Sequence, residues 1–365
     1  MDMARDFLIL LGMNAALKSF SFAVCLALAA PLVASALASD SDVRPNAPVQ
    51  NILPRADGDQ TPRGQALARL NAVVEGEQPM PLQQGSQTRV YLQSGPARGT
   101  IVMYHGFSAG TWQFEILARR AYADGFNVYI PRLPGHGLHD AKGVEDARGL
   151  LTGRNWRDYE TFADSTITDV SGLGAPISVI GLSVGGAIAL SAAEQHPEIV
   201  RVAVYAPFLQ AAGAAKIPID AERVVDDLTF GIAGSLLGLL PVHWSRDEQA
   251  KTASGERPGF TRFTMANLYA VTQFGRGIVK DTPQLKQPVQ FFTTAIDHAA
   301  DEPTIRKVYN AIGGAPHSAW YQYPAAEKVP HAMIHPYEDN GAGHTPALYD
   351  MTMNFLETGE EFTRP

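Results

Sequence analysis

From Thr88 onward, short apolar runs alternate with longer segments whose apolar residues recur at helical spacing. "TRVYLQS" and "RGTIVMYHG" predict strands, the second with the continuous apolar run of a strand buried on both faces. A helix over about 113–124 then precedes the strand "FNVYIP", and a helix near 158–171 precedes "ISVIG". Another helix, starting at Val184, precedes "RVAVYAP". Strands alternating with helices predict right-handed crossovers and a mostly parallel sheet flanked by helices, an α/β fold. Upstream, "RGQALARLNAVV" also has helical spacing.

The alternation stops after "VAVYAP" and returns with "VQFFTTA" at 289–295. It continues with a helix near 302–311, the strand "AWYQYP" and a closing helix around "ALYDMTMNFLE". Between the two halves, "FGIAGSLLGLLP" and "TRFTMANLYAVTQFGRGIV" predict helices with strongly apolar faces and no strand. The chain therefore divides into a core over 63–206, a helical cap inserted over 207–287, and the rest of the core over 288–365. A plainer reading of the insertion is extra core helices with no lid role. Its 365 residues suit one enlarged domain of this kind.

The N-terminal residues stand apart. "SFAVCLALAAPLVASALA" is a long apolar stretch preceded by Lys18, closed by Ala36-Leu37-Ala38 and followed by "SDSD". This predicts a secretory signal over 1–38 with cleavage after Ala38, and hence a periplasmic or secreted protein. An uncleaved membrane anchor is the alternative, and Met13 makes a better start for a signal than Met1. The lone cysteine, Cys25, falls inside that segment, which leaves the mature chain without a thiol. Residues 39–62 are polar and proline-bearing and are expected to form an exposed linker. A formal net charge of −8 argues against a nucleic-acid partner.

One serine interrupts the apolar run "VIGLSVGGAIAL", with Gly181 before it and Gly185 and Gly186 after it. Between a buried strand and a helix, G-x-S-x-G is the nucleophile elbow, a turn tight enough to lift Ser183 clear at the strand's end. A hydroxyl needs a base, and the base needs an orienting carboxylate. On this scaffold the acid and then the histidine follow the serine in the chain. Asp297 closes the strand in "QFFTTAIDHAADEP"; Asp301, one turn later, serves equally well as the cap of the next helix. The loop after "AWYQYP" offers His331, His335 and His344, with His331 nearest the strand and His344 in "GAGH". His331 is the preferred base. The N–H groups of Val184 and Phe107, in "HGF" after the second strand, are the expected oxyanion donors. His105 is expected to brace that loop. His136 and His139 lack a third metal ligand, and no phosphate-cradling motif occurs, so neither cofactor nor metal is expected.

Taken together, "HGFSAGTWQFEILARRAYADGFNVYIPRLPGHGLH", "GLSVGG" and "TAIDHAAD" resemble the α/β-hydrolase superfamily. Within it they look most like the monoacylglycerol lipase, bacterial carboxylesterase and serine aminopeptidase-like group. The elbow departs from the commoner His-Ser-Met in reading Leu182-Ser183-Val184, and the final loop is long. The resemblance implies acyl transfer from an ester to water through Ser183, Asp297 and a histidine. A small-molecule ester or lipid is the implied substrate; the apolar cap segment "FGIAGSLLGLLP" suggests an acyl tunnel or a surface in transient membrane contact, with ordinary packing on the sheet domain as the alternative. A serine peptidase is the enzymatic rival, and a non-catalytic binding protein on the same fold is the other.

Overall fold

The computed structural model describes residues 44–55, 58–142, 145–212, 241–243, 256–281, 285–312, 318–339 and 341–360. The signal-like segment 1–38 and most of "FGIAGSLLGLLP" lie outside the described residues.

Seven strands form one sheet: β1 Arg89–Tyr91, β2 Thr100–Tyr104, β3 Asn127–Ile130, β4 Ile177–Leu182, β5 Ile199–Tyr205, β8 Val289–Thr294 and β9 Ala319–Tyr323. They lie in the order β1-β3-β2-β4-β5-β8-β9. Only the β1–β3 pairing is antiparallel; every other neighbour in the sheet runs parallel. Every residue of β2, β4 and β8 is buried, as expected for strands covered by helices on both faces. Parallel strands place their carboxyl ends along one edge, so the loops after β2, β4, β8 and β9 gather there.

Helices α1 Pro62–Glu77, α2 Glu115–Ala123, α3 Asp158–Val170 and α4 Val184–Gln195 connect or flank the first five strands. In α4 the residues from Val184 to Ala193 are all buried. Its alanines and glycines keep the helix thin enough to be enclosed by the sheet and the neighbouring helices. Asp301 caps α6, Glu302–Ala311, by accepting from the Thr304 N–H at 3.0 Å, and α7, Thr345–Thr358, closes the fold.

Three expectations need revision. First, the segment expected to be an exposed linker is partly docked: Ile52 bridges Tyr91, and its N–H donates to the Val90 carbonyl at 2.8 Å. Edge strand β1 has an unpaired side, and this segment covers it. Second, "TRFT" is not helical. It forms β7, Arg262–Thr264, antiparallel to β6, Pro241–His243, and the helix α5 spans Met265–Asp281. Two three-residue strands that, among the described residues, pair only with each other leave no readable alternation. Third, the described part of the insertion is not confined to a separate layer. Ala270, Val271, Phe274 and Ile278 of α5 belong to the same core cluster as Ala187 and Ile188 of α4.

A buried polar cluster braces the start of α2. Arg89 pairs with Glu115 at 2.8 Å and donates to Thr111 Oγ1 at 3.2 Å, while Tyr91 donates its hydroxyl to Glu115 at 2.7 Å. Burial raises the Glu115 carboxyl, but Arg89 and Arg119 overcome that and hold it below its ordinary range.

Candidate active site

The elbow is built by lack of space. A Cβ on Gly181 would lie 2.0 Å from the Gly185 carbonyl oxygen, and one on Gly185 would lie 2.0 Å from that of Tyr104. Any side chain at either position would push α4 off the sheet. The backbone strain sits on the serine itself, at φ 56° and ψ −120°, a conformation that non-glycine residues rarely hold. It persists because both backbone groups are pinned. The Ser183 N–H donates to the Tyr205 carbonyl at 2.9 Å, and its carbonyl accepts from Phe208 at 2.9 Å and Gly186 at 2.9 Å.

Asp297 and His331 arrive from the ends of β8 and β9. The register pairs Thr294 with Tyr323, the last residues of these strands, so the two following loops start side by side. Thr294 then ties them, its hydroxyl donating to the Val329 carbonyl at 2.7 Å. The fully buried Val329, Met333 and Ile334 dock the histidine loop on the core. Within this frame His331 Nδ1 lies 2.8 Å from Asp297 Oδ2. The other carboxylate oxygen accepts from the N–H groups of Ala299 at 2.8 Å and Ala300 at 2.9 Å. Burial pushes the Asp297 carboxyl up, but His331 and these two N–H groups outweigh it and hold the group below its ordinary value.

The other histidines weighed from the sequence have different surroundings. His344, 2% exposed at the N-terminal boundary of α7, donates from Nε2 to the Met333 carbonyl at 2.7 Å and packs edge-on against Tyr323. His335 is buried, packs against Trp112, and accepts at Nδ1 from the Tyr337 N–H at 3.0 Å.

After β2, Gly106 approaches the elbow so closely that a Cβ there would lie 3.7 Å from the Ser183 Cβ. The backbone N–H groups of Phe107 and Val184 donate to no protein group among the described residues. His105 is fully buried and braces the loop. Leu133 donates to its Nε2 at 3.2 Å, which leaves Nδ1 to carry the proton and donate to the Gly106 carbonyl at 2.9 Å. Burial, then the neighbouring His136, pushes the His105 pKa well down, so it is neutral. His136 holds the Phe107 carbonyl at 2.7 Å, and burial lowers its pKa to about 4. Phe107 stacks edge-on with Phe260 and Phe263, each 5.2 Å away between ring centres.

Sequence reasoning missed Gln113, Arg257 and Glu338. Gln113 accepts from the Gly106 N–H at 2.8 Å and donates to Glu338 at 2.8 Å. Arg257 pairs with the other Glu338 oxygen at 2.6 Å. They come from three separate segments, so only folding brings them together. The one hint was a glutamine between the two aromatic residues of "TWQF".

A serine elbow, an Asp–His pair and an HG loop at the carboxyl edge of a mostly parallel sheet define the α/β-hydrolase fold. Residues 95–326 match the Hydrolase_4 family, described as serine aminopeptidase, S33. The match covers more than half of the chain, which belongs to this family of α/β-hydrolases. A thermostable monoacylglycerol lipase from Bacillus sp. (strain H-257) is 30% identical over 151 residues, 38% of this chain. The matched stretch spans about half of that relative's length, 54%. Among solved structures, the monoacylglycerol lipase of Paleococcus ferrophilus is similar with a TM-score of 0.56 at 18% identity, covering 75% of this chain and 98% of that one. A soluble variant of the Saccharomyces cerevisiae monoglyceride lipase is similar at 0.53 and 15% identity, over 76% of this chain and 92% of its own. A highly thermostable carboxyl esterase from Bacillus coagulans follows at 0.51 and 16%, over 75% and 95%. At these identities the structural likeness establishes the fold.

Proposed function

We propose that this protein is a serine carboxylic-ester hydrolase, acting on short esters or monoacylglycerol-like lipids through Ser183, His331 and Asp297. The observation that carries the reading is the 2.8 Å pairing of His331 Nδ1 with a buried carboxylate, on the same sheet edge as the strained serine. His331 Nε2 takes the Ser183 proton as Oγ attacks the ester carbonyl. The N–H groups of Phe107 and Val184 stabilise the oxyanion, and the imidazolium returns its proton to the departing alcohol. Water then attacks the acyl-enzyme with the same base, releasing the acid and restoring the serine. Asp297, kept ionised by its low pKa, holds Nδ1 protonated and offsets the imidazolium charge.

The family's aminopeptidase description makes a peptidase the second reading. Such an enzyme needs a free carboxylate for the substrate's amino group. Glu338 approaches the HG loop through Gln113, but it is paired with Arg257 at 2.6 Å, which offsets the charge such a clamp would use. Export of the mature chain after cleavage at Ala38 belongs to the same proposal; N-terminal sequencing of protein recovered outside the cytoplasm tests it.

A fluorophosphonate probe should label wild type and fail to label Ser183→Ala. A chain-length series of p-nitrophenyl esters run beside aminoacyl amides separates esterase, lipase and peptidase. Faster turnover of the amides would overturn the ester assignment.

A further inference from the structure

We infer that Glu338 is a positioning residue for the oxyanion loop, acting through Gln113 and Arg257; this rests on Phe107 being an oxyanion donor. The two residues flanking Phe107 are held by one network. On one side, the Gly106 N–H donates to Gln113 Oε1 at 2.8 Å. On the other, the Ser108 carbonyl accepts from Arg257 Nη1 at 3.3 Å and from the Phe260 N–H at 3.3 Å. Both arms end on one carboxylate. Gln113 Nε2 donates to Glu338 Oε2 at 2.8 Å, and Arg257 donates to Oε1 from Nε at 3.0 Å and Nη2 at 2.6 Å.

The network has a single polarity. Only the amide oxygen of Gln113 can accept from Gly106, so its NH2 must face Glu338, and only an acceptor there satisfies it. The Arg257 and Glu338 side chains are 6% and 10% exposed, so the charge-assisted bonds are shielded from water. The approach is close: Gly259, at φ 144°, has no room for a Cβ, which would lie 2.4 Å from the Ser108 carbonyl oxygen. Glu338 belongs to the long loop that begins just after β9 and also carries His331, in the short 3-10 turn Pro336–Glu338. The extra length of that loop lets one segment present the base and, seven residues later, the anchor of the oxyanion donor. The loop thereby couples the two halves of the catalytic apparatus.

An exchange of donor and acceptor tests this. Gln113→Glu places a carboxylate against Glu338, whereas Gln113→Glu combined with Glu338→Gln restores a complementary donor–acceptor pair, keeps the network's net charge, and leaves Arg257 donating to the new amide oxygen. Gln113→Met removes both bonds and leaves the ion pair intact. The measurements are kcat and KM for p-nitrophenyl butyrate, Ki for a trifluoromethyl ketone, and the thermal midpoint. Each single Gln113 variant should lower kcat about 10- to 100-fold and weaken the ketone in parallel, with KM within about 3-fold. The double variant should recover most of both losses. If Gln113→Met and Gln113→Glu keep wild-type kcat, or the double variant regains thermal stability without kcat, the positioning role is wrong. Loss of kcat in variants still labelled at Ser183 separates this inference from the proposed chemistry. A wild-type protein that the fluorophosphonate leaves unlabelled overturns both.

Discussion

Replacing Asp297 by asparagine removes one charge and reverses one hydrogen bond. Oδ1 accepts from the N–H groups of Ala299 and Ala300, and only an oxygen can do so. An asparagine is therefore pinned with its NH2 toward His331, which must then accept at Nδ1 and carry its proton on Nε2. That tautomer has no lone pair for the Ser183 proton. Turning the amide over instead would leave two N–H groups facing an NH2, at about 1–3 kcal/mol each. Either route costs about 3–5 kcal/mol in the transition state, or roughly 10²- to 10⁴-fold in kcat. KM should change little, because no substrate contact is lost. Steady-state kinetics with p-nitrophenyl butyrate, on protein shown folded by its thermal midpoint, measures the effect. Asp301→Asn is the matched control. It weakens only the cap on Thr304, costing about 0.5–1 kcal/mol of stability with kcat unchanged. If Asp297→Asn keeps more than about a tenth of wild-type kcat, the tautomer argument fails.

His344→Ala should lower the urea midpoint, since it removes a buried bond to the Met333 carbonyl worth about 1–3 kcal/mol, while folded protein keeps its kcat. A dead but folded His344→Ala would transfer the role of base from His331. Ser183→Gly should be about 1 kcal/mol more stable than Ser183→Ala, because glycine accepts the φ of 56° without strain; equal midpoints in urea would deny the strain. His136 and His335 are held near pKa 4 by burial, against an ordinary 6.5. Between those values the unfolded chain binds protons that the folded one refuses. Their contribution to stability is therefore full above pH 6.5 and lost as pH falls toward 4. Urea midpoints at pH 7 and pH 5 should show the drop, and His335→Gln should make it shallower.

The alternation of apolar runs was enough to place the strands of the main sheet, because a doubly covered parallel strand must be apolar throughout. The elbow was equally legible. Its glycines are demanded by contacts among Gly181, Gly185 and Tyr104, and the first two are neighbours in sequence. The pair β6–β7 was not, since three-residue strands carry no period, and neither was the docking of Ile52 on β1. The histidine loop shows the division most clearly. Composition alone left His331, His335 and His344 open, since each sits in a polar, proline- or glycine-bearing stretch. Register between β8 and β9, the Thr294–Val329 tie and the burial of Val329, Met333 and Ile334 bring His331 to Asp297 and turn His344 toward a backbone carbonyl. Glu338, Gln113 and Arg257 lie beyond any local pattern, because a network of three distant segments has no spacing to read. Periodicity and tight turns are local and are written into the chain, whereas the partner of each polar side chain is a long-range choice made when the core packs.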